Sequence, residues 1–178
     1  MKKIACLSLV VLFAVILGAC AQATPQTAED MINPGDKIGD FLITTAEEGN
    51  VNYWDQDCVK QDDQGEEVVY SCKAIVGTNI NMTTGLYDDS VSSVPATATP
   101  KLLEDWSAFN YALFIEGRPV NLPAFGYIDV HHPVHGVIRF WNVVIATDKP
   151  GEINFRESGI AGGDPFKAAT TYTFSAPK

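Results

Sequence analysis

The chain has three histidines, and all lie in Val130-His131-His132-Pro133-Val134-His135-Gly136. Neutral imidazoles are good ligands for zinc, copper or nickel. On a strand-turn-strand corner, His132 with His135, or His131 with His135, can face the same way, and Asp129 can add a carboxylate. This spacing offers one function: a metal-binding protein, or a metal-dependent enzyme, using zinc or copper. Pro133 and Gly136 explain the same segment as a turn, with the histidines structural or at the surface, and no His-Glu-x-x-His pattern accompanies them. A second cation candidate is the acidic stretch holding Asp55, Asp57, Asp62, Asp63, Glu66 and Glu67. Calcium takes about six to eight oxygen ligands. The stretch lacks EF-hand spacing, however, and Asp62-Asp63-Gln64-Gly65 is ordinary turn chemistry.

Aromatic side chains offer a different chemistry. Trp54, Trp106 and Trp141, with Tyr53, Tyr87, Tyr111 and Tyr127, are many for a domain of this size. Exposed Trp and Tyr rings stack on sugar rings, whereas buried ones build cores. Tyr53 and Tyr87 flank polar loops and are expected to face solvent as ligand-binding residues; Trp141, in an apolar run, is expected in the core. Catalytic signatures are missing. There is no Gly-x-Ser-x-Gly elbow, no P-loop and no dinucleotide fingerprint after a strand. Gly159-Ile160-Ala161-Gly162-Gly163-Asp164 has no basic partner for phosphate and reads as a loop. No catalytic residue is assigned, no resident cofactor is expected, and the chain is read as a non-enzyme.

The N-terminus supplies the location. Met1-Lys2-Lys3 is a positive start, 4–17 is apolar, and Leu17-Gly18-Ala19-Cys20 follows. The apolar run is shorter than the roughly 20 residues of a spanning helix and fits a cleaved leader. Leu17-Gly18-Ala19-Cys20 resembles the lipobox of bacterial lipoproteins. That resemblance implies a signal peptide over 1–19, lipid on Cys20, and a position in the cell envelope on the extracytoplasmic face of a membrane. Ala21 is not the Asp that favours inner-membrane retention, so the outer membrane or cell surface is expected. Residues 20–32 then form a lipidated, flexible tether, and 33–178 the folded domain. Losing Lys2 and Lys3 takes the net charge from −10 to −12, a surface that repels nucleic acid. With Cys6 removed and Cys20 lipidated, Cys58 and Cys72 remain as an even pair in an oxidising compartment, and a disulfide between them follows.

The elements that position these residues are strands. Period-two alternation with Gly, Pro, Asn and Asp punctuation dominates. Asn33-Pro34-Gly35-Asp36 reads as a type II turn before a strand at 38–45. Strands at 51–60 and 68–76 form a hairpin whose symmetry about Gly65 sets Cys58 opposite Cys72, Lys60 opposite Tyr70 and Trp54 opposite Val76. A short strand is expected at 78–83 and a loop at 88–99. Thr99-Pro100 marks an N-cap and first helical residue, giving one short helix near 100–108. Further strands are expected at 111–116 before a Gly117-Arg118-Pro119 turn, at 137–146 as one central strand, and around Ile153 and Phe155 after a type II turn at Lys149-Pro150-Gly151-Glu152. Tyr172 and Phe174 alternate in the last. The fold class is all-β, a single β-sandwich. The Pro-Gly turn and closing Tyr-rich strand are loosely similar to the end of bacterial Ig-like domains; a jelly-roll-like arrangement is the alternative. The functional expectation is a membrane-anchored, non-enzymatic binding module for a glycan, a small molecule or a protein.

Overall fold

The computed structural model describes residues 30–47, 49–53, 57–62, 67–90, 96–161 and 163–177. Cys20 and the expected leader over 1–19, together with Trp54, Asp55, Asp63 and Glu66, lie outside them. Among the described residues the fold is all-β with two short helices. In chain order the elements are β1 (Lys37–Ile38), β2 (Phe41–Thr44), β3 (Asp57–Asp62), β4 (Val68–Ile75), β5 (Ile80–Asn81), β6 (Leu86–Tyr87), α1 (Pro100–Ala108), β7 (Asn110–Ile115), β8 (Arg118–Pro119), α2 (Leu122–Phe125), β9 (Tyr127–His132), β10 (Gly136–Trp141), β11 (Val144–Ala146), β12 (Gly151–Ala161) and β13 (Asp164–Ser175). Among these residues no helix is long and apolar enough to cross a membrane.

Three sheets result. The largest has the order β3-β4-β13-β12-β7-β8, the second β1-β2-β11-β5, and the smallest β6-β10-β9. Alternation along β7, β12 and β13 turns Leu113, Ile115, Ile153, Phe155, Tyr172 and Phe174 inward. They meet Phe41, Ile43, Ile80 and Ile145 of the second sheet in one core, as in the Phe41–Phe174 ring contact at 5.5 Å. Each such side chain contributes about 1.5–3 kcal/mol when buried. Ile32, in the stretch expected as tether, is fully buried there and bridges to Val120.

Several elements differ from the sequence expectation. The strand expected at 38–45 is a tight hairpin, because Gly39 takes a positive φ (59°) and Ile38 pairs with Phe41. The run at 137–146 is not one central strand. It splits at Asn142-Val143, with β10 in the small sheet and β11 in the second. Asn142 holds that crossing by exchanging side-chain hydrogen bonds with the Ala46 backbone. The bend after β7 is Glu116-Gly117, both at positive φ, so Arg118 and Pro119 pair back as β8. Gly151 lacks the positive φ of a type II turn and opens β12 instead. The expected glycine-rich loop at 159–164 is mostly strand, since β12 runs to Ala161 and β13 starts at Asp164. A second helix, α2, had no sequence counterpart.

The hairpin expectation stands where it is described. Cys58 pairs with Cys72 and Lys60 with Tyr70, and the two sulfurs are at bonding distance. β3 reaches Asp62 through a register shift after Lys60. β4 then pairs in parallel with β13 over eight residues, from Val68–Ala168 to Ile75–Ser175. Such a pair needs a long crossover rather than a tight turn, and here the crossover is most of the domain.

Candidate functional site

The chemistry-bearing residues gather on the small sheet and α1. β9 and β10 pair antiparallel, with Tyr127 opposite Trp141, Asp129 opposite Arg139 and His131 opposite Val137. Alternation sends those six to one face, and Ile128, Val130, His132, Ile138 and Phe140 to the other. The two faces have different characters.

On the first face, Arg139 is buried, with 6% of its surface exposed. It donates two hydrogen bonds to Asp129, Nε to Oδ1 at 2.6 Å and Nη2 to Oδ2 at 2.7 Å. This two-pronged pairing uses the planar geometry of guanidinium and carboxylate. The bond to Asp129 raises the Arg139 pKa further above its ordinary value, against the opposing effect of burial. The guanidinium carbon lies 4.0 Å from the Tyr127 ring centroid and 5.9 Å from that of Trp106, a desolvated cation–π arrangement. Trp106 comes from α1, where Thr99 accepts a hydrogen bond from the Leu102 N–H at 3.1 Å and also donates to Asp88 at 2.6 Å. The Trp106 ring meets Trp141 at 4.9 Å, Phe109 at 5.7 Å and Tyr127 at 6.1 Å. Tyr127 remains 55% exposed. The product is an aromatic platform fixed from beneath by an ion pair.

On the second face, Val130, Ile138 and Phe140 form a small separate core. Tyr53 packs against Phe140 at 5.0 Å. It is half-buried, which corrects the expectation that it faces solvent; its ring is recruited by the apolar side of the small sheet. Gly85 must be glycine here, because a Cβ would stand 2.5 Å from Phe140 Cε1. Tyr87 is exposed as expected, and its ring lies 4.3 Å from that of His135.

The histidine turn comes together only in part. His132 and His135 stack at 4.8 Å, while His131 belongs to the opposite face of β9. His132 Nδ1 accepts hydrogen bonds from the backbone N–H groups of Val134 and His135, both at 3.2 Å. Asp129 is engaged by Arg139 and not by the histidines. Among the described residues no group of three or more His, Cys, Asp or Glu side chains is placed to hold a metal ion. Trp141, expected in the core, is half-buried at its rim, and no hydrogen-bond partner for its buried indole nitrogen is found among the described residues.

Four further residues were not anticipated as site residues. Tyr127, Trp106 and Arg139 make the platform, and their signal was available: Trp106 four positions beyond buried Leu102, and Arg139 as the one cation in an apolar run. Glu157 is another. It continues the inward phase of Ile153 and Phe155, and its Oε2 accepts hydrogen bonds from Tyr111 Oη at 2.7 Å and Thr84 Oγ1 at 2.8 Å. Burial raises the Glu157 pKa above its ordinary value, and these hydroxyls only partly oppose that. Burial, then the neighbouring carboxylate, pushes the Tyr111 phenol well above its ordinary range.

Comparison with protein-family models, curated proteins and solved structures finds no match for this chain.

Proposed function

We propose that this protein is a lipid-anchored, non-enzymatic binding module of the bacterial cell envelope, held through Cys20, that engages a glycan on the platform of Tyr127, Trp106 and Trp141. The observation that carries the reading is the largely exposed Tyr127 ring, supported by the Arg139–Asp129 pair and flanked by two indoles in tilted contact. A sugar ring presents C–H groups to an aromatic face and hydroxyls to its sides. The platform supplies both halves, since Asp129 and His131 share the face of Tyr127. A rigid surface also loses little conformational freedom on binding. The acidic chain favours a neutral or amine-bearing glycan over an anionic one. The lipobox-like Leu17-Gly18-Ala19-Cys20 supports a position where such glycans are found.

A glycan array probed with the wild-type chain and with Tyr127→Ala tests the reading. Binding to a defined set of neutral or amino sugars, lost in Tyr127→Ala, supports it. An array with no wild-type signal, or a signal unchanged by the substitution, contradicts it.

A further inference from the structure

A second feature lies inside the sandwich, away from the platform. At the Glu157 end of the large sheet a cavity of about 240 Å³ opens between the sheets, and Tyr53, Tyr70, Phe155, Tyr172 and Glu157 are among its walls. The register explains this set. Tyr70 and Phe155 both pair with Thr170, and Tyr172 pairs with Cys72 one step along, so the rings share the inward face. Glu157 lies two residues beyond Phe155 on that same face. Tyr111 and Thr84 both donate to its Oε2. The Thr84 backbone N–H also bonds to this carboxylate, and among the described residues no ion pair to it is found. Glu157 is half-buried, and a carboxylate partly withdrawn from water gains from a positive partner.

We propose that this cavity binds a small organic cation, a quaternary or primary ammonium of about choline's size, with its charge against the Glu157 carboxylate and its methyl or methylene groups among the rings of Tyr53, Tyr70, Phe155 and Tyr172. Aromatic faces attract such cations through their negative quadrupoles, and the effect grows when water is excluded. A carboxylate at the base adds a direct charge partner. The donors Tyr111 and Thr84 hold the carboxyl group in place beside the cavity. No covalent step is involved. The cation arrives free in solution or as the exposed headgroup of a lipid, and both present the same ammonium.

Isothermal titration of the full chain in detergent with tetramethylammonium, with choline and with 3,3-dimethylbutanol, choline's uncharged analogue, provides the test. Both cations are expected to bind with Kd on the order of 100 µM, and the alcohol at least tenfold more weakly. Glu157→Gln keeps acceptors for Tyr111 and Thr84 and is expected to weaken the cations at least tenfold. Tyr127→Ala is expected to leave their affinity unchanged, which separates this site from the glycan platform. Flotation with phosphatidylcholine vesicles, with and without competing choline, distinguishes a lipid headgroup from a free solute. Absent binding of both cations, equal affinity for the alcohol, or undiminished affinity in Glu157→Gln would overturn the proposal. The alcohol arm uses the wild-type chain and decides the matter even where the variant fails to fold.

Discussion

Arg139 is the residue on which the platform rests. Its side chain is 8% exposed and that of Asp129 35%, so the pair sits between a surface bridge, worth little, and a sealed one, costly to break. Removing the carboxylate strands a guanidinium between the Tyr127 and Trp106 rings. Asp129→Ala is expected to lower unfolding stability by about 2 kcal/mol, read as a lower urea midpoint with unchanged slope. Glu157 acts in the opposite sense. Its pKa in the folded chain lies above its ordinary value of 4.5, so protonation favours the folded state. That contribution is complete below about 4.5 and is lost as pH rises through the folded pKa. Tyr111, pushed well above its ordinary range, stays protonated throughout. Relative to Glu157→Gln, the wild-type chain should therefore lose stability progressively from about pH 4.5 upward and then level off. Denaturation midpoints of both chains across that range check this, and a flat difference would show that Glu157 is not desolvated. Alternation already marked this residue: Ile153 and Phe155 face inward, and the next in phase is Glu157. A charged residue type conceals the pattern, because sequence reading treats an acid as an outward position.

Elements were legible where local chemistry dictates them. Thr99-Pro100 announced α1, and the structure shows the cap bond to the Leu102 N–H. The same Thr99 hydroxyl donates to Asp88, so one side chain ties the 88–99 connection to the helix that carries Trp106. Thr99→Ala is expected to cost about 1 kcal/mol and to disturb the near-ultraviolet signal of the contacting indoles, measured by circular dichroism alongside chemical denaturation. The Cys58–Cys72 register was legible from symmetry about Gly65, and closing that loop contributes about 3 kcal/mol in the chain-entropy account. The split of 137–146 into β10 and β11 was not legible. Both halves are apolar, and what separates them is Asn142 bonding to Ala46, nearly a hundred positions away in sequence. Which face of α1 turns inward was not legible from two adjacent leucines: Leu102 is buried, while Leu103 is 46% exposed.

At the scale of the whole molecule, an all-β class follows from many short alternating runs, whereas sheet order does not. The parallel β4–β13 pair joins segments a hundred residues apart, and no local pattern encodes such a partner. The same distance effect hid the platform, whose rings come from α1, β9 and β10. The histidine cluster shows the reverse: proximity in sequence suggested a shared site, yet β9 places His131 on the face opposite His132. The proposed position in the cell rests on the lipobox-like Leu17-Gly18-Ala19-Cys20. Metabolic labelling with a fatty acid is expected to mark the wild-type protein and not Cys20→Ser, and persistent label on the variant would remove the anchor from the account.

The central claim, that the Tyr127 platform is a glycan-binding surface, is tested most directly by following the indole N–H signals of Trp106 and Trp141 by nuclear magnetic resonance during titration with neutral and amino oligosaccharides. Saturable shifts of both signals, abolished in Tyr127→Ala and retained in Glu157→Gln, are the predicted result. Signals that stay fixed while sugar binds elsewhere, or no binding at any sugar concentration reached, would contradict it.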